Sequence, residues 1–137
     1  MAKIKYDINI MQYISLFESL TGARVKDCIV NDSIFFIVNE NEMGKAIGKH
    51  GSNIKRVENA LKKKIRLAEF SDDVVKFVGN LIYPIKVKEI KEEDELIKIY
   101  CSDTKTKGIL IGRDRHNISR INNIVKRHFK SNEVKVV

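Results

Sequence analysis

The feature that most constrains this chain is that it repeats itself. Laying residues 44–57 on 108–121, a shift of 64, aligns Gly44/Gly108, Ile47/Ile111, Gly48/Gly112, Asn53/Asn117, Ile54/Ile118 and Arg56/Arg120. Upstream the shift is 62 and pairs Leu20 with Ile82, Val25 with Val87 and Asp32 with Asp94, so the second copy carries a two-residue insertion around residues 102–106. The 137 residues therefore read as two domains, 1–70 and 71–137, each built on a unit of about 65 residues. Units of that size lie near the lower limit for a self-sufficient core.

Both copies show the same pattern of elements. In the first, Ile10, Tyr13, Ile14, Phe17 and Leu20 recur at helical spacing and Gly22 supplies a stop. In the second, Ser71 is placed to cap a helix with Asp72 and Asp73 in its first turn; Val74, Val75, Phe77, Val78, Leu81 and Ile82 form the stripe, and Pro84 ends it. Two β-rich runs follow: 25–30 and 34–38, turning at 31–33, and in the second copy 85–90 and 96–101, joined by an acidic loop at 91–95. A short helix, a glycine-containing loop, a second helix (52–61; 116–129) and a closing strand (65–70; 134–137) complete each copy. The order αββααβ, given twice, predicts an α+β fold in which each domain is a three-stranded mixed sheet covered by three helices, because each helix has one apolar stripe to hide.

Charge follows the repeat. From Lys45 to Arg66 eight Lys or Arg face one acid, Glu58, and from Lys105 to Lys130 eight face one acid, Asp114. Each segment carries +7, so with a net charge of +8 the remainder of the chain carries −6. Basicity concentrated in this way points to a polyanionic partner. No run approaches the ~20 apolar residues of a membrane span and no signal-peptide core opens the chain, which predicts a cytoplasmic protein without a membrane partner. Cys28 and Cys101 fall in separate apolar runs and read as buried, reduced thiols. His50, His116 and His128 lack a carboxylate partner or metal-ligand spacing, and no nucleophile-elbow, Walker or paired-carboxylate pattern appears. The expectation is a non-enzyme with no cofactor, no metal and no small-molecule substrate.

The loop Gly48-Lys49-His50-Gly51 opens onto a helix starting at Ser52. Glycines at its two ends permit backbone angles closed to other residues and remove side chains that would hold a ligand away, while the helix start presents unsatisfied N–H groups. Lys49 and His50 add charge at the middle positions. A glycine turn between helices is also a plain connector, and it is shared by helix-turn-helix DNA readers. The closing strand of each copy and the basic pair inside the turn favour RNA.

The block Ile47-Gly48-Lys49-His50-Gly51-Ser52-Asn53-Ile54, set between two helices and followed by a strand, resembles the I-G-x-x-G-x-x-I signature of KH domains, whose loop clamps about four nucleotides of a single strand. The helix ahead of the hairpin is similar to the type II topology. "YISLFESLTGARVKDCIV" (13–30) followed by "EMGKAIGKHGSNIKRVE" (42–58) resembles the archaeal NusA family of transcription factors. The resemblance implies a tandem pair of type II KH domains that binds single-stranded RNA in transcription termination or antitermination. RNA polymerase or other transcription factors are the further partners it suggests, and a monomer is expected. The RNA-binding residues it implies are Ile47, Gly48, Lys49, His50, Gly51, Ser52, Ile54, Lys55, Arg56 and Arg66 in the first copy, and Gly112, Arg113, Arg115, His116, Ile118 and Arg120 in the second. The isoleucines belong to the core with part of each lining a groove for bases, and Arg66 and Ala68 on the third strand flank it. A ribosomal or ribosome-assembly RNA-binding factor would share these features.

The second loop departs from the signature. Gly112-Arg113-Asp114-Arg115 keeps the first glycine and puts arginine at the second. If that position needs φ > 0, the arginine costs on the order of 1 kcal/mol, or the loop takes another shape. Asp114 places a negative charge where phosphate is expected, flanked by two arginines that either neutralise it or reach phosphate themselves. Two readings stay open: a turn that has lost its contact role, or a copy that supplies charge and direction while the first loop grips.

Overall fold

The helically spaced apolar residues near the start of the chain form α1, Ile8–Thr21. Phe17 is fully buried and stacks on Phe36 with ring centroids 4.2 Å apart, and Ile10, Tyr13, Ile14 and Leu20 pack around the same cluster. The helix stops at Gly22, whose φ of 75° only glycine adopts readily and whose N–H donates to the Glu18 carbonyl at 2.9 Å. The computed structural model describes residues 8–31, 33–130 and 132–137. Asp32, matched above to Asp94, lies outside them.

Strands β1, Val25–Val30, and β2, Ile34–Val38, pair antiparallel; β3, Ile65–Glu69, joins β2 in parallel, giving a mixed sheet in the order β1-β2-β3. A parallel pair cannot be closed by a tight turn. The crossover here is α2, Met43–Ile47, a single 3₁₀ turn at Lys49–Gly51, and α3, Ser52–Leu61. The glycine loop is thus the middle of the crossover. Ile34, Phe36 and Val38 of the central strand meet Phe17, Ala46, Val57 and Ile65 in one buried cluster.

The chain divides into two compact units between Ser71 and Asp72. The second unit has the same order: α4 (Val74–Ile82), β4 (Glu89–Glu93), β5 (Leu96–Tyr100), α5 (Thr104–Ile111), a 3₁₀ turn at Arg113–Arg115, α6 (His116–His128) and β6 (Glu133–Val136). Its sheet is β4-β5-β6, antiparallel then parallel. Phe77, Ile97, Ile99, Leu110, Ile124 and Val125 are buried within it. The fold is α+β, with a mixed three-stranded sheet in each unit.

Four expectations are corrected. The cap of α4 is Asp73 and not Ser71: its carboxylate accepts from the N–H groups of Val75 and Lys76 at 3.0 and 3.4 Å, so the helix begins after the acids. The first strand of the second hairpin lies at Glu89–Glu93, not 85–90, and the turn shrinks to Asp94 and Glu95, with Asp94 at φ 58°. An acidic run forms this strand because it is an edge, where charges stay solvated, and because Glu93 is paired. Lys98 Nζ lies 2.9 Å from it and the Tyr100 hydroxyl donates at 3.0 Å, which together hold the Glu93 carboxyl below the usual range. Cys101 follows β5 and is only half-buried, while Cys28 is buried; neither is in a disulfide among the described residues, and burial raises the Cys101 pKa. Ala68 is 1% exposed and belongs to the interior, not to a groove wall.

Candidate nucleic-acid interface

Each crossover loop is fixed by one asparagine. Asn53 Nδ2 donates to the Lys45 carbonyl at 2.7 Å, and Asn117 Nδ2 to the Ile109 carbonyl at 2.9 Å, so in both units a residue of the second helix reaches back across the turn to the first. The asparagine fills the space beside the first glycine. A Cβ on Gly48 would sit 2.7 Å from Asn53 Cγ and 2.9 Å from its backbone N; on Gly112 it would sit 2.9 Å from Asn117 Cγ and from its backbone N. Gly48 (φ 73°, ψ 173°) and Gly112 (φ 75°, ψ 170°) also adopt angles that exclude side chains. The first glycine is therefore required twice over, by conformation and by space.

Beyond that glycine the two loops keep the same backbone. His50 (φ 56°, ψ 30°) matches Asp114 (φ 53°, ψ 31°), and Gly51 (φ 73°, ψ 16°) matches Arg115 (φ 61°, ψ 23°). Arginine at the second position did not change the loop's shape. It accepts the left-handed conformation because Gly51, unlike Gly48, has no atom of the described residues beyond its chain neighbours within 4 Å of where a Cβ would be. The contribution of Gly51 is the open space it leaves.

Past the loop, the following helix is tied to the third strand. Glu58 Oε2 accepts from the Ile65 N–H at 3.0 Å; in the second unit Asn122 accepts from the Val134 N–H at 2.7 Å and donates to the Val134 carbonyl at 3.0 Å. These bonds set the spacing between helix and strand. In the second unit that spacing leaves a cleft of about 270 Å³ lined by Ile111, Arg115, Ile118 and the length of β6, Glu133 to Val136. Its apolar walls come from residues that are also core: Ile118 is 2% exposed, Ile111 half-buried. In the first unit Ile47 is 38% exposed and Ile54 half-buried. The third strands match in pattern as well: Ile65-Arg66-Leu67 and Val134-Lys135-Val136 each run buried, exposed, half-buried.

Of the other residues singled out from the sequence, Lys49, His50, Ser52, Lys55, Arg56 and Arg66 lie at the surface or half-buried in the first unit, and Arg113, Arg115 and His116 in the second; Arg120 is half-buried and engaged. Among the described residues no ion pair occupies Lys49, Lys55, Arg56, Arg66, Arg113 or Arg115. Lys45 is paired with Glu42 at 3.4 Å, and Glu42 also accepts from the Arg24 N–H, the main cause of its lowered pKa. Among the described residues no side chain caps α3 or α6; the Ser52 and His116 N–H groups donate to the Lys49 and Arg113 carbonyls of the loops, and the next first-turn N–H groups have no side-chain acceptor. Taken together, each unit joins uncompensated positive charge, a helix start and an apolar edge.

Sequence reasoning missed Asn53 and Asn117 as loop locks, Glu58 and Asn122 as strand ties, and Lys135 and Glu133 as cleft residues. The repeat carried a signal for several of these: Asn53/Asn117 and Glu58/Asn122 share the shift of 64 that aligns the glycines.

Residues 11–95 match the family described as KH domain. The chain is 34% identical over 144 aligned positions to "Probable transcription termination protein NusA" of Methanocaldococcus jannaschii, covering all of this chain and 77% of that protein. A protein of the same description from Halococcus morrhuae is 33% identical, with 92% of this chain and 93% of that one aligned. Among solved structures, one reported as "Crystal structure of APE1850" superposes with a TM-score of 0.73 at 30% identity, over 96% of this chain and 100% of that one.

Proposed function

The chain belongs to the KH-domain family and, within it, to the archaeal NusA-type proteins, and from that premise we propose that it binds single-stranded RNA through both crossover loops. On this reading the second unit is a second KH domain of the same type II topology, and the chain is a tandem pair acting in transcription termination or antitermination. The single observation that carries the reading is the first loop. An asparagine-locked turn presents Lys49 and His50 beside an open position at Gly51 and an uncapped helix start. A sugar-phosphate backbone fits such a site because N–H groups and cations meet it without side-chain obstruction.

Ile47 and Ile54 supply the apolar edge on which bases rest, and Lys55, Arg56 and Arg66 extend the positive charge along α3 and β3. In the second unit Gly112, Arg113, Arg115, His116, Ile118 and Arg120 take the corresponding places. Phosphate contacts supply affinity and the cleft supplies base choice. The names of the relatives support a role on nascent transcripts, which brings RNA polymerase within reach as a partner of the bound complex.

The test is competition at physiological salt between labelled single-stranded RNA and duplex DNA of the same sequence. Retention of the single strand is expected. Preferential retention on the duplex would replace this reading with that of a helix-turn-helix DNA binder.

A further inference from the structure

We propose that the cleft of the second unit selects guanine, with Arg115 and Glu133 as the residues that read it. The inference rests on the reading that this cleft receives nucleobases, and adds which one.

Three observations carry it. Arg115 occupies the backbone position that Gly51 holds in the first loop, in nearly the same conformation, so its side chain projects from the place that the first loop leaves open. Arg115 lines the cleft together with the apolar Ile111 and Ile118, and so does β6, from its first residue, Glu133, to Val136. Among the described residues neither Arg115 nor Glu133 is held in an ion pair, so both charges are available to a ligand.

Guanine is the base whose edges match this pair. N7 and O6 are adjacent acceptors that fit the guanidinium fork, and N1–H and the N2 amine are adjacent donors that fit a carboxylate. Adenine offers a donor beside N7 in place of the second acceptor, and neither pyrimidine presents two adjacent acceptors next to two adjacent donors. A carboxylate in a basic surface opposes phosphate binding but favours a base edge rich in donors. Asp114 at the middle of the loop works in the same direction, weakening phosphate capture here relative to the first unit.

The full chain would be titrated with short uridine-rich single-stranded RNAs carrying one central guanosine, adenosine, inosine or 7-deazaguanosine. Affinity is read by fluorescence anisotropy and location by the methyl signals of Ile111, Ile118, Val134 and Val136. Guanosine is expected to bind at least about fivefold more tightly than adenosine, the lower end of what one bidentate pairing discriminates. Removing N7 should lower affinity in the wild type but not in Arg115→Gly, a substitution the backbone accepts. Removing the N2 amine should lower it in the wild type but not in Glu133→Ala. Equal affinity for all four RNAs, with the cleft methyls still shifting, would overturn the selection of guanine while leaving RNA binding in place. An Arg115→Gly loss that is equal for all four would assign the arginine to phosphate and overturn it as well. Cleft methyls that stay unmoved at saturation would remove the underlying reading along with it.

Discussion

The two crossover loops share a frame and differ in what they show to a ligand. The dihedral pairs of Gly48, His50 and Gly51 recur at Gly112, Asp114 and Arg115, and both turns are locked by an asparagine. Yet the first offers Lys-His before an empty position, and the second Arg-Asp before an arginine. The two glycines of the motif therefore have different roles. The first is demanded by the protein's own packing; the second is not, since the space beside it is open. Where the chain gives up the second glycine it keeps its fold and changes its surface.

The largest effect should come from breaking the shared frame. Gly48→Ala or Gly112→Ala drives a Cβ into the locking asparagine at a conformation closed to side chains, and should cost about 3 kcal/mol or more. Gly51→Ala meets only the left-handed penalty, about 1 kcal/mol. Chemical denaturation of the three variants checks the ranking, and equal costs for Gly48 and Gly51 would dissolve the distinction drawn between them. Asn53→Ala and Asn117→Ala come next, each costing about 1 kcal/mol as its hydrogen bond disappears. Because both locks are alike, the two costs should agree; a large difference would mean that the loops are held in different ways.

Exchanging the surfaces should have a smaller and opposite pair of effects. Arg115→Gly relieves a left-handed non-glycine residue and should raise stability by about 0.5–1 kcal/mol, whereas Gly51→Arg should lower it by a similar amount. Thermal unfolding of the two single variants reads both signs. The smallest effect lies away from the loops, in the acidic edge strand that sets the second unit apart. Lys98 and Tyr100 hold the Glu93 pKa low, so the ionised carboxyl contributes stability above the ordinary carboxylate range, and that contribution disappears as pH falls through the lowered value. In Glu93→Gln it is absent at every pH. Acid-unfolding curves of the variant and the wild type should therefore converge at low pH and separate slightly near neutrality.

The elements are legible in the sequence wherever a period or a stop residue marks them. α1, the hairpin strands of the first unit, and α3 fall where the apolar spacing and Gly22 put them. The second hairpin departs from its expected place because β propensity favours the apolar run 85–90, whereas an edge strand can be built from charged residues if its neighbours pair them, as Lys98 and Tyr100 pair Glu93. The cap of α4 lies two residues beyond the expected one because Ser71, Asp72 and Asp73 are all good caps and only the geometry chooses among them. At the loops, the solvent access of the basic side chains follows from their position in a turn. The asparagine locks do not, since a side chain bonding to a carbonyl eight residues away leaves no local pattern. Nor can the sequence decide the shape of the second loop. That depends on the space around a Cβ at the second glycine position, and Gly51 shows that the frame leaves it open.

The central claim is that the first loop is the main grip on RNA and the second a weaker, more selective one. The most direct measurement is the affinity for one single-stranded RNA, across a range of salt, of the wild type, Lys49→Asp with His50→Asp, and Arg113→Asp, each shown to be folded. The first-loop variant should lose most of its binding, more than about tenfold, and should flatten the salt dependence by roughly 0.7 in slope for each phosphate it no longer neutralises. The second-loop variant should lose less. Unchanged affinity in the folded first-loop variant would contradict the claim outright.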